Sequence, residues 1–232
     1  MNPQTYARTT GVLYLITFAT AIPALLLFGP VLDDPGGYVT GAGEDNRILF
    51  GGFLELLLIV ANVGTALALF PVLRWQNEGL ALGYVAARIV ECIFIAIGLV
   101  AVLAVVTLRQ DASEDAGALT AAAEALVAVK DWTFLFGPGF VVGIGNGLML
   151  GYLMYRSGLM PPRLALFGLI GGPLVCISGV LVLFDVFELG SAGQFVMTIP
   201  EIIWELSIGI YLTVWGFRPT AVKALIPASA RP

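Results

Sequence analysis

Arg88 and Glu91 stand three residues apart inside an apolar run, a spacing that puts both side chains on one face of a helix. Glu55 and Glu205 lie in two other apolar runs, each far in sequence from a compensating base. Asn62 shares a helix face with Glu55 and Ala66, and Asn146 flanks a row of glycines. A charged side chain at hydrocarbon depth costs about 2.5–3.5 kcal/mol on insertion scales, so these residues are expected to turn inward and meet. Three carboxyls would then face one guanidinium. Arg stays protonated, and its fork holds two carboxylates. The carboxyl left over is expected to hold a proton, because burial disfavours its charged form. Such a group serves proton coupling or acts as a neutral hydrogen-bonding residue.

With a rise of ~1.5 Å per residue, Glu91 falls near the bilayer midplane and Arg88 one turn closer to the cytoplasm. The same rise puts Glu55 and Glu205 some 10 Å below the outer surface. One polar cluster of Glu55, Asn62, Arg88, Glu91, Asn146 and Glu205 is therefore expected, open toward the outside to a proton, a small molecule or a lipid. Thr198-Ile199-Pro200-Glu201 reads differently, as a capping box with Thr198 as N-cap and Glu201 at the third helical position. Pro is tolerated in such a first turn. Glu201 is thus assigned to a helix cap, with an accessory role as the alternative.

The chain lacks the usual machinery of hydrolysis. It has no histidine, which removes the commonest metal ligand and general base. Cys92 and Cys176 sit in separate apolar runs and read as packing residues rather than a disulfide. No metal and no cofactor are expected. No basic patch marks a nucleic-acid surface.

Six elements must position these groups. Hydrophobic residues make up 59% of the 232 and charged residues 12%, against about 25% charged in soluble domains. A spanning helix needs about 20 mainly apolar residues. Six stretches qualify, at about 10–30, 49–73, 80–108, 132–155, 164–187 and 199–217. The expected fold is all-α, a single transmembrane helical bundle over 1–232 in the lipid bilayer. The first stretch follows Arg8 and resembles a signal peptide around Ala19-Thr20-Ala21. Its run to about Pro30 exceeds an h-region of ~7–15 residues, so it reads as a span kinked or ended near Pro23.

Orientation follows from basic residues in the loops. With the N-terminus inside, Arg8, Arg74, Arg156, Arg163, Arg218, Lys223 and Arg231 fall on the cytoplasmic side, and Arg47, Arg109 and Lys130 outside. Seven against three places both termini in the cytoplasm. The outer loops also carry Asp33, Asp34, Glu44, Asp45, Asp111, Glu114, Asp115, Glu124 and Asp131, read as a solvated face. Trp75 and Trp215 fit an inner aromatic belt, and Trp132 and Trp204 an outer one. The Ala-rich stretch 119–129 reads as a short helix on the outer surface, and 218–232 as a loose tail. The prevalence of Arg over Lys, with much Ala, Gly and Val, points to a bacterial chain in the plasma membrane.

Glycine recurs every fourth residue at Gly139, Gly143, Gly147 and Gly151, and again at Gly168 and Gly172 with Cys176. Small residues at this spacing let backbones approach within a membrane. The fourth and fifth spans are expected to pack along these two stripes. Gly143, Gly145 and Gly147 follow no strand, which excludes a phosphate-binding loop.

The chain resembles the bacterial domain of unknown function 4386 family over roughly residues 5–220. Thr10-Gly11-Val12-Leu13-Tyr14-Leu15-Ile16 and Ala87-Arg88-Ile89-Val90-Glu91 carry the resemblance, together with Gly143-Ile144-Gly145-Asn146-Gly147 and Gly151–Gly158. Pro200-Glu201-Ile202-Ile203-Trp204-Glu205-Leu206 and Trp215-Gly216-Phe217 complete it. The resemblance implies a multi-pass membrane protein and no particular activity. Three readings stay open: a membrane protein whose buried Arg/Glu network is structural or binds a small ligand, a small proton-coupled transporter, and a lipid-modifying enzyme. The absence of a nucleophile paired to a base weighs against the last.

Overall fold

The structure, a computed structural model, describes residues 2–41, 43–110 and 115–227. Asp111, Glu114 and Arg231, counted above among the loop and tail charges, lie outside the described residues. The described residues are helical throughout, joined by short turns, with no strand among them.

Six helical segments are long and apolar enough to cross a membrane. They are α1 (Pro3–Leu27), α4 (Asp45–Leu73), α5 (Glu78–Gln110), a continuous run from Ala116 to Ser157, α8 (Pro162–Leu183) and α9 (Ala192–Val214). Each exceeds the ~20 residues a span requires. Their outer faces carry Leu26, Val60, Val100, Ile170 and Val214, all more than half or nearly half exposed, while Arg88, Glu91 and Asn146 are buried. That inside-out arrangement is what a lipid solvent selects.

Two short helices, α2 (Gly29–Asp33) and α3 (Pro35–Thr40), close one end of the bundle between α1 and α4. Arg109 at the end of α5 pins that end by donating to Asp45 at 2.8 Å and to the Gly43 carbonyl at 3.0 Å. At the opposite end, the Gln4 side-chain amide donates to the Phe217 carbonyl at 2.6 Å and accepts from the Phe217 N–H at 3.0 Å. The start of the first span and the end of the last are therefore joined.

The fourth crossing departs from a plain α-helix. α6 (Ala116–Phe134) leads into π-helical turns at Leu135–Val141 and Gly143–Leu150, followed by α7 (Gly151–Ser157). Pro138 lies within the first π-helical stretch and lacks the N–H that an α-turn needs. Stretches of π-helix are rare and often mark functional positions. The segment 119–129, expected as a separate surface helix, is part of α6. Its Leu119, Ala123 and Val127 are buried in the apolar cluster with Val31, Val102 and Val105. An apolar face of one residue every fourth position packs on a neighbouring helix as well as on a surface, and here α3 and α5 supply the neighbours.

Two further expectations are corrected. The tail read as loose from residue 218 forms α10 (Pro219–Leu225), and Ile226 is buried in the core. Trp204, assigned to the outer aromatic belt, is fully buried, whereas Trp75, Trp132 and Trp215 are exposed.

Candidate functional site

The centre of the bundle is organised by Arg88. Its side chain is 3% exposed, and Nη1 donates to Glu91 Oε2 at 2.7 Å and lies 3.8 Å from Glu205 Oε1. Nε donates to Thr65 Oγ1 at 3.4 Å. The guanidinium sits over the Tyr14 ring, 5.3 Å from its centre, a cation–π arrangement. Arg88 and Glu91 lie on α5 at the i, i+3 spacing that makes them neighbours, as the sequence requires. Asn62 on α4 donates to the other Glu91 oxygen, Oε1, at 3.1 Å. Both oxygens of Glu91 are thus satisfied, the condition for keeping a buried charge.

Asn146, fully buried in the π-helical stretch, joins the fourth span to this centre. Its side-chain nitrogen donates to Glu205 Oε1 on α9. Its side-chain oxygen accepts from the Tyr14 hydroxyl at 3.4 Å. Tyr14 has one proton, so the 3.0 Å contact between the Tyr14 and Tyr84 hydroxyls is donated by Tyr84. The Asn146 backbone carbonyl accepts from Trp204 Nε1 at 2.9 Å. Five spans therefore meet in one network: α1 through Tyr14, α4 through Asn62 and Thr65, α5 through Tyr84, Arg88 and Glu91, the fourth through Asn146, and α9 through Trp204 and Glu205. Only Glu205, with its side chain 19% exposed, retains an opening.

Glu55 is not part of this centre. It lies seven residues before Asn62 on α4, about 10 Å along the helix at ~1.5 Å per residue. Its partner is Lys130, whose Nζ donates to Glu55 Oε1 at 2.6 Å and sits 5.2 Å from the Phe28 ring centre. Lys130, counted above as an outer loop charge, is 5% exposed. The sequence could not pair it, because 119–129 and the residues after it read as loop and surface helix rather than as a continuous helix. Glu55 Oε2 is buried without a partner.

Thr198 and Glu201 do not form a capping box. α9 begins at Ala192 with Ser191 as N-cap, and Thr198 bonds the Gln194 carbonyl one turn back within the helix. Pro200 is interior to the helix. Glu201 is 2% exposed, and neither of its oxygens has a hydrogen-bond partner.

The glycine stripes lie together. A Cβ at Gly143 would meet the Gly172 carbonyl at 2.6 Å and Cys176 Sγ at 2.8 Å, one at Gly147 would overlap the Gly172 Cα, and one at Gly151 would meet the Leu169 N at 3.2 Å. Gly168 makes room for the Trp204 ring. Gly139 stands apart, since a Cβ there would reach only Phe134 and Leu135 of its own span.

Tyr14, Thr65, Tyr84, Lys130 and Trp204 were missed from sequence. Tyr14 and Arg88 are 74 positions apart and meet only through packing, so no spacing rule reaches them. Among the described residues no group of three or more Cys, Asp or Glu is placed to hold a metal ion. A cleft of about 360 Å³ at the α2–α3 end is lined by Asp34, Tyr38, Glu44 and Arg47 and by none of the network residues.

No curated protein and no solved structure matches the chain. The family model described as Domain of unknown function (DUF4386) matches residues 9–216, nearly the whole bundle together with Arg88, Glu91, Asn146 and Glu205, and the chain belongs to that family.

Proposed function

We propose that this multi-pass membrane protein uses the Arg88 network as a clasp that sets the mutual register of five spans. The observation that carries this reading is closure: Arg88, Glu91, Asn62 and Asn146 are each less than 5% exposed, Arg88 and Asn62 donate to Glu91, and Asn146 donates to Glu205 and accepts from Tyr14. A built catalytic or transport site would leave some of these atoms for a ligand. The location that fits is a bacterial plasma membrane with both termini cytoplasmic. The burial of Lys130 supports this orientation, because it removes a positive charge from the outer loops and leaves Arg47 and Arg109 there.

Breaking a buried ion pair by removing one partner costs about 3–5 kcal/mol, whereas replacing both by apolar residues is often neutral. Arg88→Leu is therefore expected to lower the Tm in detergent sharply. Arg88→Leu with Glu91→Leu is expected to recover most of the loss. A double variant as unstable as the single one would sink the clasp.

A proton-coupled transporter is the second reading. It is favoured by the charge count inside the bundle, where among the described residues Glu55, Glu91, Glu201 and Glu205 face Arg88 and Lys130, and by the residual opening at Glu205. Proton flux into vesicles containing the purified protein should then be abolished in Glu91→Gln with the fold intact. Equal flux in variant and wild type would remove Glu91 from any transport mechanism.

A further inference from the structure

Glu201 differs from the other three carboxyls inside the bundle. Glu55, Glu91 and Glu205 each accept at least one hydrogen bond, whereas both Glu201 oxygens are buried and unbonded. Its surroundings explain why. The carboxyl lies where three backbones cross: the π-helical stretch at Gly147, α8 at Gly171 and α9 itself. A Cβ at Gly147 or at Gly171 would come within 2.8 Å of Glu201 Oε2, and one at Gly171 would also meet the Glu201 backbone nitrogen at 2.6 Å. Glycine at these positions is what admits the carboxyl, and glycine Cα atoms offer no donor to a charge.

The charged and titratable groups that face Glu201 do not compensate it. Glu205 lies one turn on along α9, Glu91 and Arg88 face it from α5, and Cys176 faces it from α8. Arg88 is already engaged by Glu91 and Glu205, and those two carboxylates oppose a third negative charge beside them. An ionised carboxyl buried without donor or counter-ion is strongly disfavoured, and such a group takes a proton instead. A metal ion would need several oxygen or sulfur ligands around it, and the described residues provide no such cluster.

We propose that Glu201 is a proton-binding site, a carboxyl that the glycine crossing of the fourth, fifth and sixth spans encloses in its neutral form. The inference does not rest on the clasp's role in holding the spans in register; it uses only the pairing of Arg88 with Glu91 and Glu205 and the absence of any hydrogen bond to Glu201.

Infrared spectroscopy of the reconstituted full chain at neutral pH tests it. The carbonyl stretch of a protonated carboxylic acid, shifted on transfer to D₂O, is expected in the wild type, retained in E55Q and lost in E201Q. Absence of the band in the wild type, or its survival in a folded E201Q, would overturn the proposal. E201Q and E201M are both uncharged and near the size of the acid, so each is expected to fold. Loss of the band in every variant that folds supports the site, and failure of both to fold overturns it.

Discussion

Arg88 and Lys130 are both cations buried in the same bundle, yet they are held in different ways. Arg88 touches two carboxylates, a threonine and an aromatic face contributed by four helices. Lys130 has one carboxylate, Glu55, and the face of Phe28. The second oxygen of Glu91 is bonded by Asn62, while the second oxygen of Glu55 is left without a partner. The contrast follows from the chemistry of the two bases. A planar guanidinium with five donors organises several partners at once, and an ammonium on a flexible stem serves one partner as a point charge. The Arg88 centre joins side chains of five spans, and the Lys130 pair links α6 to α4.

Three substitutions sharpen this comparison. The largest effect belongs to Arg88→Leu, at about 3–5 kcal/mol, because it strands a fully bonded buried carboxylate. Lys130→Met comes next, at about 1.5–3 kcal/mol for a lost hydrogen bond to a charged group. Glu55 can relieve the loss by taking a proton, and the methionine keeps most of the apolar stem in place. Thermal unfolding in one detergent ranks the two, and a Lys130→Met loss equal to or above that of Arg88→Leu would erase the difference between the two cations. Tyr14→Phe is the smallest, at about 0.5–1.5 kcal/mol, since it removes one hydroxyl that links Tyr84 to Asn146 but keeps the ring beneath Arg88. A loss as large as that of Arg88→Leu would mean that the tyrosine hydroxyls, not the guanidinium, hold the centre.

The membrane fold was legible in composition and run length because both depend on one quantity, the transfer of side chains into hydrocarbon. The pairing of Arg88 with Glu91 was legible too, since three residues on one helix fix their separation. Glu55 shows the limit of that logic. Its depth along the span is readable, but its partner Lys130 lies on another helix, and no local pattern marks α6 as continuous through that residue. Glu201 failed for a related reason. Thr198, Pro200 and Glu201 have the local pattern of a helix start, but α9 begins earlier at Ala192, with Ser191 as the N-cap whose side-chain oxygen accepts from Gln194 N–H, and its first buried residue is Glu201. A capping signal states a local preference, and packing decides whether the chain uses it.

By itself, the sequence determined that the chain crosses a membrane about six times, that its ionisable groups face inward, and that the fourth and fifth spans approach along glycines. These follow from solvation and from repeats within single helices. Only the tertiary structure decided which carboxyl meets which base, that Trp204 and Lys130 belong to the interior, and that Glu201 is enclosed with no partner. Those outcomes depend on the rotation and relative height of separate helices, which are set by many contacts at once and leave no mark in the spacing of any one segment.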